Sequence, residues 1–323
     1  GAHLFIDEKI KASRSMRAQA WKRDFGSRSA YERSVDPNRK RLMDVLGIAD
    51  RSPSTPAYHP LADNSTSVLM HKISLAGDGD VVAETDKYKI YQVRWPVSGS
   101  VHGEGLLVQP KSNAVANIIA IADADQTPEQ LMGLAPGIPV ESQFARRLAE
   151  NGYQVIIPTL ISRDPLSKGE QKEQTHREWI YRQAFHMGKH LIGYEVDKVR
   201  AAVDWLKQTS ASSKIGVAGY NEGALIAMYA AAVDTRIDAA MVSGYFTSRQ
   251  KVWDEPIYRN IWGLLTEFGD AEITSLIAPR PIVVEYSAID EKLVQATKKP
   301  SPINEFSYSG YKGSIKTPDF RDV

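Results

Sequence analysis

From about residue 116 the apolar positions fall into short continuous runs separated by stretches with helical spacing. ANIIAIADAD (116–125) is an unbroken apolar run that ends in acids, and YQVIIPTL (153–160) is a second. Between them ESQFARRLAENG (141–152) has helical spacing, with Gly152 positioned to end it. Further on, Trp179, Ile180, Gln183, Met187, Leu191, Tyr194, Val199, Val203 and Leu206 keep a helical period across 176–208. A strand at 214–218, a helix at 223–232 and the apolar runs IDAAMVSGYF (237–246) and RPIVVEYS (280–287) complete the alternation. Continuous apolar strands separated by helices predict a parallel-rich sheet covered on both faces. Ahead of this region, VLMHKISLA (68–76), YKIYQVRWPV (88–97) and GEGLLVQP (103–110) are rich in β-branched and aromatic residues and predict strands.

The first 50 residues predict a helical arm. Ile6, Ile10, Ala20, Trp21 and Phe25 recur at loose helical intervals among many arginines. In a second helix Asp36 caps, Pro37 takes the first turn and Gly47 ends it after Leu42, Val45 and Leu46. RSPSTPAYHPLADNSTS (51–67) has the composition of a linker. The chain therefore divides into an arm and linker, 1–67, and an α/β domain, 68–323. The stretch 291–323 has scattered apolar residues among lysines, serines and prolines, and predicts an insertion or tail instead of a last strand and helix. The domain is thus expected to be incomplete at its C-terminal end.

Composition changes this picture little. The 323 residues are 42% hydrophobic and 24% charged, with 40 basic and 39 acidic side chains for a net charge of +1. That balance gives no electrostatic footprint for nucleic acid or an anionic membrane, and no run approaches the roughly 18 apolar residues of a membrane span. With no cysteine, disulfides, thiolate catalysis and thiolate-held metals are excluded. The chain opens on Gly1, compatible with removal of a leader peptide, and a periplasmic or secreted bacterial location is the expectation.

The chemistry turns on KIGVAGYNEGALIA (214–227), a strand, a glycine-pinched turn and a small-residue helix. In α/β-hydrolases a G-x-S-x-G elbow presents its serine on such a turn. Gly219-Tyr220-Asn221-Glu222-Gly223 keeps the glycines but puts Asn221 at the nucleophile position. A carboxamide nitrogen is neither nucleophile nor base near neutral pH, although asparagine tolerates the left-handed backbone of the turn. The triad's chain order is nucleophile, acid, histidine, yet all seven histidines precede Asn221. Glu285, at the end of IVVE, and Asp290 stand near the acid position. An oxyanion hole would draw on the Glu222 N–H and a donor after the 116–122 strand. There the loop carries Asp123 and Asp125, which would oppose a developing negative charge, while Asp125 or Thr127 caps a short helix begun by Pro128.

The stretches DADQTPEQLMGLAPGIPVESQFARRLAENG, THREWIYRQAFHMGKHLIGYEVDKVRAAVDW and MVSGYFTSRQKVWDEPIYRNIWGLLTEFGDAEITSLIAPRPIVVE carry a family likeness. The chain resembles the N-terminal half of bacterial tandem α/β-hydrolase proteins of the dienelactone-hydrolase-like and acetyl-xylan-esterase-like kind. That resemblance implies an α/β-hydrolase fold with a degenerate first elbow, where a glycine often stands instead of Asn221. It also implies a second half with a serine elbow and a late histidine as partner, and a carbohydrate ester as substrate.

Other constellations leave alternatives open. His186 and His190 could share a helix face, but the glutamate of H-E-x-x-H and a third ligand are absent, so no metal is expected. His176, Arg177, Glu178, Trp179, Tyr181 and Arg182 at a helix start suit either a sugar or salt bridges along the helix. Trp253, Tyr258, Arg259 and Trp262 follow the 237–246 strand, on the side of the sheet where ligands bind, as pocket residues or as a packed lid. Without G-x-G-x-x-G at the elbow or a Walker lysine, no cofactor is expected. Three functions remain: an esterase-like domain that has lost its triad, a hydrolase of non-standard mechanism using Glu222 or a residue from another segment, and a carbohydrate-binding or structural module.

Overall fold

In a computed structural model of the chain, residues 1–48, 70–73, 80–166, 174–289 and 313–322 are described. The linker stretch 51–67, Asp290 and most of 291–323 lie outside them.

The arm is two helices, α1 (Ala2–Gln19) and α2 (Arg28–Leu46). α1 buries only Ser13 and Arg17, while Ile6 stays half exposed. Phe25, beyond the helix, is also exposed, so it is Trp21 that anchors the arm: its indole donates to the Glu267 carbonyl at 2.9 Å. The cap of α2, Ser27, lies nine residues before the expected one. The Ser27 hydroxyl accepts from the Ala30 N–H, and Pro37 lies inside the helix. An interior proline costs about 3 kcal/mol, which the buried stripe Tyr31, Val35, Leu42, Met43 and Leu46 outweighs by packing on the domain. Gly47 ends the helix as expected, in the left-handed region, where a Cβ would stand 2.4 Å from the Gly188 carbonyl oxygen.

The sheet follows the predicted alternation. Its first strands are β1 (His71–Lys72), β2 (Val81–Glu84), β3 (Tyr88–Ser98) and β4 (Val101–Pro110), all antiparallel. The parallel part comprises β5 (Asn117–Ile121), β6 (Gln154–Pro158), β7 (Ile215–Tyr220), β8 (Ala239–Ser243) and β9 (Ile282–Glu285). Strand order is β1-β3-β4-β6-β5-β7-β8-β9, with β2 on β3, and β4 joins β6 antiparallel.

Between the strands run α3 (Pro128–Leu131), α4 (Phe144–Glu150), α5 (His176–His186), α6 (Leu191–Thr209), α7 (Glu222–Val233) and α8 (Asp270–Ser275). Thr127, not Asp125, caps α3, in a reciprocal box with Gln130. The single helix expected over 176–208 is two, because Gly188 takes φ +70° and His190 restarts the backbone as the cap of α6. His186 and His190 therefore belong to different helices.

One face of the sheet packs its apolar side chains, among them Trp95, Ile119, Val217 and Val242, against α2, α6 and α7. The other packs Leu106, Val108, Val155 and Ile157 against α3 and α4. Among the described residues no helix covers that second face over β8 and β9, where Met241 and Val283 are 39% and 56% exposed. Parallel strands are ordinarily covered on both sides.

The elbow sits where β7 meets α7, and its two glycines are fixed by backbone contact. A Cβ on Gly219 would lie 2.1 Å from the Gly223 carbonyl oxygen, and one on Gly223 2.2 Å from that of Ile121. Gly223→Ala should therefore destabilise the fold by roughly 1–3 kcal/mol or more, read from urea unfolding; an unchanged midpoint would refute this account of the turn.

Candidate functional site

Asn221 occupies the apex of the elbow with φ +50°, 3% exposed, its N–H donating to the Ser243 carbonyl at 2.9 Å. Its carboxamide bridges two opposite charges. Nδ2 donates to Asp123 Oδ2 at 3.3 Å, and Oδ1 accepts from Arg259 Nη2 at 3.0 Å. Neither contact involves a histidine.

Glu222, the first residue of α7, is fully buried. Its carboxylate accepts from Arg259 Nη2 at 2.8 Å, Arg163 Nη2 at 2.9 Å and Arg177 Nη2 at 3.3 Å. Burial opposes ionisation, but the pull of Arg259, then Arg177 and Arg163, with the Arg259 hydrogen bond, holds its pKa far below the usual carboxylate range. The first turn of a helix also favours a negative charge. Its backbone N–H, the donor an oxyanion would need, points to Asp123 Oδ1 at 3.1 Å.

Arg163 organises the far side. It forks onto both oxygens of Asp123 at 2.9 and 3.0 Å, reaches Asp125 Oδ2 at 2.7 Å and donates from Nε to the Tyr258 hydroxyl at 2.9 Å. Burial pushes the Asp125 pKa up, against the pull of Arg163. Arg177 completes the cluster by gripping Glu195 with three bonds of 3.1 Å.

The structure thus gathers Asn221, Glu222, Asp125, Tyr258 and Arg259 around one ionic cluster. Glu285 stands apart at the end of β9, where it accepts from the Ser243 hydroxyl at 2.5 Å. Trp253 and Trp262 turn outward, 65% and 79% exposed. His186 is exposed at the end of α5. His190 is buried: Nδ1 accepts from the Ile192 N–H at 3.0 Å and Nε2 lies 3.1 Å from the Asn260 carbonyl oxygen.

Arg163 and Glu195 do not figure among the sequence expectations, and Arg177 figures there only in a polar helix start. A signal did exist for two of them. Arg177 shares the buried face of α5 with Tyr181 and Ala184, and Glu195 sits within the apolar run of α6 beside Val196. A charge at a core-facing helical position points to a buried partner.

Residues 106–261 match the model of the dienelactone hydrolase family. No curated protein matches the chain in sequence. Among solved structures, a protein of Bacteroides fragilis NCTC 9343 provisionally named an acetyl xylan esterase superposes with a TM-score of 0.65 at 16% identity, over 91% of this chain and 77% of that one. A glucuronoyl esterase from Solibacter usitatus gives 0.48 at 14% identity, over 79% and 74% of the two chains. An acetyl xylan esterase from Paenibacillus sp. R4 gives 0.45 at 13% identity, over 83% and 90%. The fold is that of the α/β-hydrolases.

Two buried groups near this end of the sheet titrate in opposite senses. Burial, assisted by Arg177, lowers His190 from 6.5 to about 4, so its contribution is complete above pH 6.5 and is lost as pH falls toward 4. Burial raises Asp270 from 3.8 to about 6 against the pull of Arg249, so its contribution is complete below pH 3.8 and is lost as pH rises through 6. Each is worth about 3 kcal/mol across its window, and between pH 6 and 4 they offset. Relative to wild type, His190→Asn should gain stability as pH falls through this range, and Asp270→Asn should lose it. Denaturant midpoints at pH 6, 5 and 4 measure both, and parallel curves for all three proteins would contradict the assignment.

Proposed function

We propose that the chain is the non-catalytic partner unit of a carbohydrate-ester hydrolase, an α/β-hydrolase domain whose acyl-transfer centre is replaced by a buried ionic cluster. The observation that carries this reading is the Asp123 carboxylate seated on the Glu222 N–H. An acyl-enzyme route needs that donor for the oxyanion of the tetrahedral intermediate, and a fixed carboxylate there repels the charge the reaction develops. Asn221 supplies no nucleophile, and its amide is held from both ends. Glu222, ionised and engaged with three arginines, is a poor general base, because a catalytic base needs a pKa near the working pH.

In this reading a second α/β-hydrolase half supplies the serine and histidine, and this unit supports it or helps to hold the ester. The face over β8 and β9 that no described helix covers, with Met241 and Val283 exposed, offers such a partner apolar surface to cover.

The test is to assay wild type, Asn221→Ser and Asn221→Ala on an acetylated xylo-oligosaccharide and p-nitrophenyl acetate. A serine hydroxyl without a positioned base forgoes on the order of 10²–10⁴ in rate, so the serine variant should stay within about tenfold of the alanine variant. A larger gain confined to Asn221→Ser, or a burst with an acyl adduct at residue 221, would overturn the proposal.

A further inference from the structure

Register partners on four adjacent strands lose their cover step by step across one face of the sheet. Ala120, Ala218, Met241 and Val283 stand side by side on β5, β7, β8 and β9, and side chains in one such row share a face. Ala120 is sealed in with α4, Ala218 is half-buried, and Met241 and Val283 are exposed. Behind this row lie Gly216 and Ala239, and toward the strand C-termini lie Tyr220, Ser243 and Glu285. On the opposite face Val217 and Val242 are buried, and Ile282 and Val284 pack against the same core. The loss of cover thus belongs to one face.

A trough of about 520 Å³ lies on that face, between β7–β9 and the segment 137–147. Ala218 and Met241 form its floor, and Leu131, Ile138 and Phe144 line its apolar wall. Three charged residues also line it: Glu141, Arg147 and Glu285. Glu141 and Arg147 have opposite signs and share the rim on the α4 side. Glu285 stands on the other rim, on β9. There the Ser243 hydroxyl donates to it at 2.5 Å, and among the described residues no cation pairs with it.

We propose that the trough receives one amphipathic α-helix of a partner polypeptide, apolar toward the sheet and carrying a lysine or arginine that pairs with Glu285. From β7 to β9 is two strand spacings, about 10 Å, which matches the breadth of a single helix with its side chains, about 10–12 Å. Helices are the layer that covers a parallel sheet, and α4 already provides it over β5 and β6. The short side chains of Ala218 and Ala239, with Gly216, leave depth beside β7 for large apolar residues, and Met241 and Val283 meet them from the β9 side. A helix laid here takes water from the Glu285 carboxylate, which then needs a cation in its place. The inference rests on the reading of a partner unit above and adds the chemistry of the element that touches this chain.

Fluorescence anisotropy of labelled synthetic peptides with the full chain tests this. The probe is about five turns long, with leucine at i, i+3, i+4 and i+7 and lysine and glutamine elsewhere. One twin carries glutamate for lysine, and the other has the same residues with its leucines dispersed. Saturable binding of the basic probe is expected, roughly tenfold tighter than that of either twin. Met241→Asp and, independently, Val283→Asp should weaken it roughly tenfold, at exposed positions and in proteins whose melting temperature is unchanged. Glu285→Lys should turn the preference toward the acidic twin. Equal binding of the dispersed twin overturns the helix, and equal binding of the acidic twin to wild type overturns the pairing with Glu285. Binding that survives in both aspartate variants places the probe elsewhere and overturns the docking site, as does no saturable binding to folded wild type. Sedimentation velocity checks a further occupant: a wild-type dimer that is lost in Met241→Asp makes it a second copy of this chain and overturns the partner. None of these readouts involves ester turnover, so the non-catalytic reading stands or falls separately, on the ester assay.

Discussion

A fully buried carboxylate, Glu222, governs the C-terminal end of this sheet. Three guanidinium groups converge on it from three separate segments: Arg163 after β6, Arg177 on α5 and Arg259 after β8. Removing a carboxylate and three arginines from water is costly, and their mutual attraction repays that cost only when hydrogen bonds satisfy the remaining valences. Here Asp123, Asp125, Glu195 and Glu255 take the outer faces of the same arginines. The loops above the sheet are therefore held by one shared charge. Loss of that charge would strand several buried cations together, which is why a single side chain can set the geometry of segments up to 96 residues apart in sequence, from Arg163 to Arg259.

The identity of residue 221 follows from this cluster. A carboxamide carries an acceptor and a donor on one planar group, so it can face Arg259 with its oxygen and Asp123 with its nitrogen at once. Glycine would suit the backbone turn equally but would leave both charges short of a bond. A serine would offer one oxygen in place of two separated atoms. The same Asp123 that takes the amide also takes the Glu222 N–H. Anion recognition at the helix N-terminus, the feature an oxyanion hole exploits, is retained here and satisfied from within the chain.

Much of this was legible in the sequence, and the failures have physical causes. The elbow could be read because Gly219 and Gly223 answer to backbone contacts that admit no side chain, and the order of strands and helices because apolar runs and helical spacing alternate cleanly. Helix ends were harder. Pro37 resembles a start signal, yet the tertiary packing of Tyr31 and Val35 carries α2 back to Ser27. Gly188 breaks a period that continues in register on both sides of it. The ionic cluster was largely invisible, since Arg163 and Glu222 are far apart in the chain and an isolated arginine ordinarily indicates solvent. Trp253 and Trp262 show the converse: in irregular turns no period fixes orientation, and both large aromatic side chains point outward.

The two halves of the parallel sheet carry different constraints. Over β5 and β6 both faces are sealed by helices, and stability there is ordinary apolar burial. Over β8 and β9 no described helix covers one face, and polar ties join the strand ends: Ser243 to Glu285, Asn221 N–H to the Ser243 carbonyl, and the Arg259–Glu255–Arg249 chain above them. Polar ties of this kind are directional and exchangeable in a way that apolar packing is not. A unit built so is rigid at the elbow, where a hydrolase would need a free nucleophile. In the proposed reading, the charges around Asn221 that take the place of an acyl-transfer centre are the same ones that make the fixed polar scaffold.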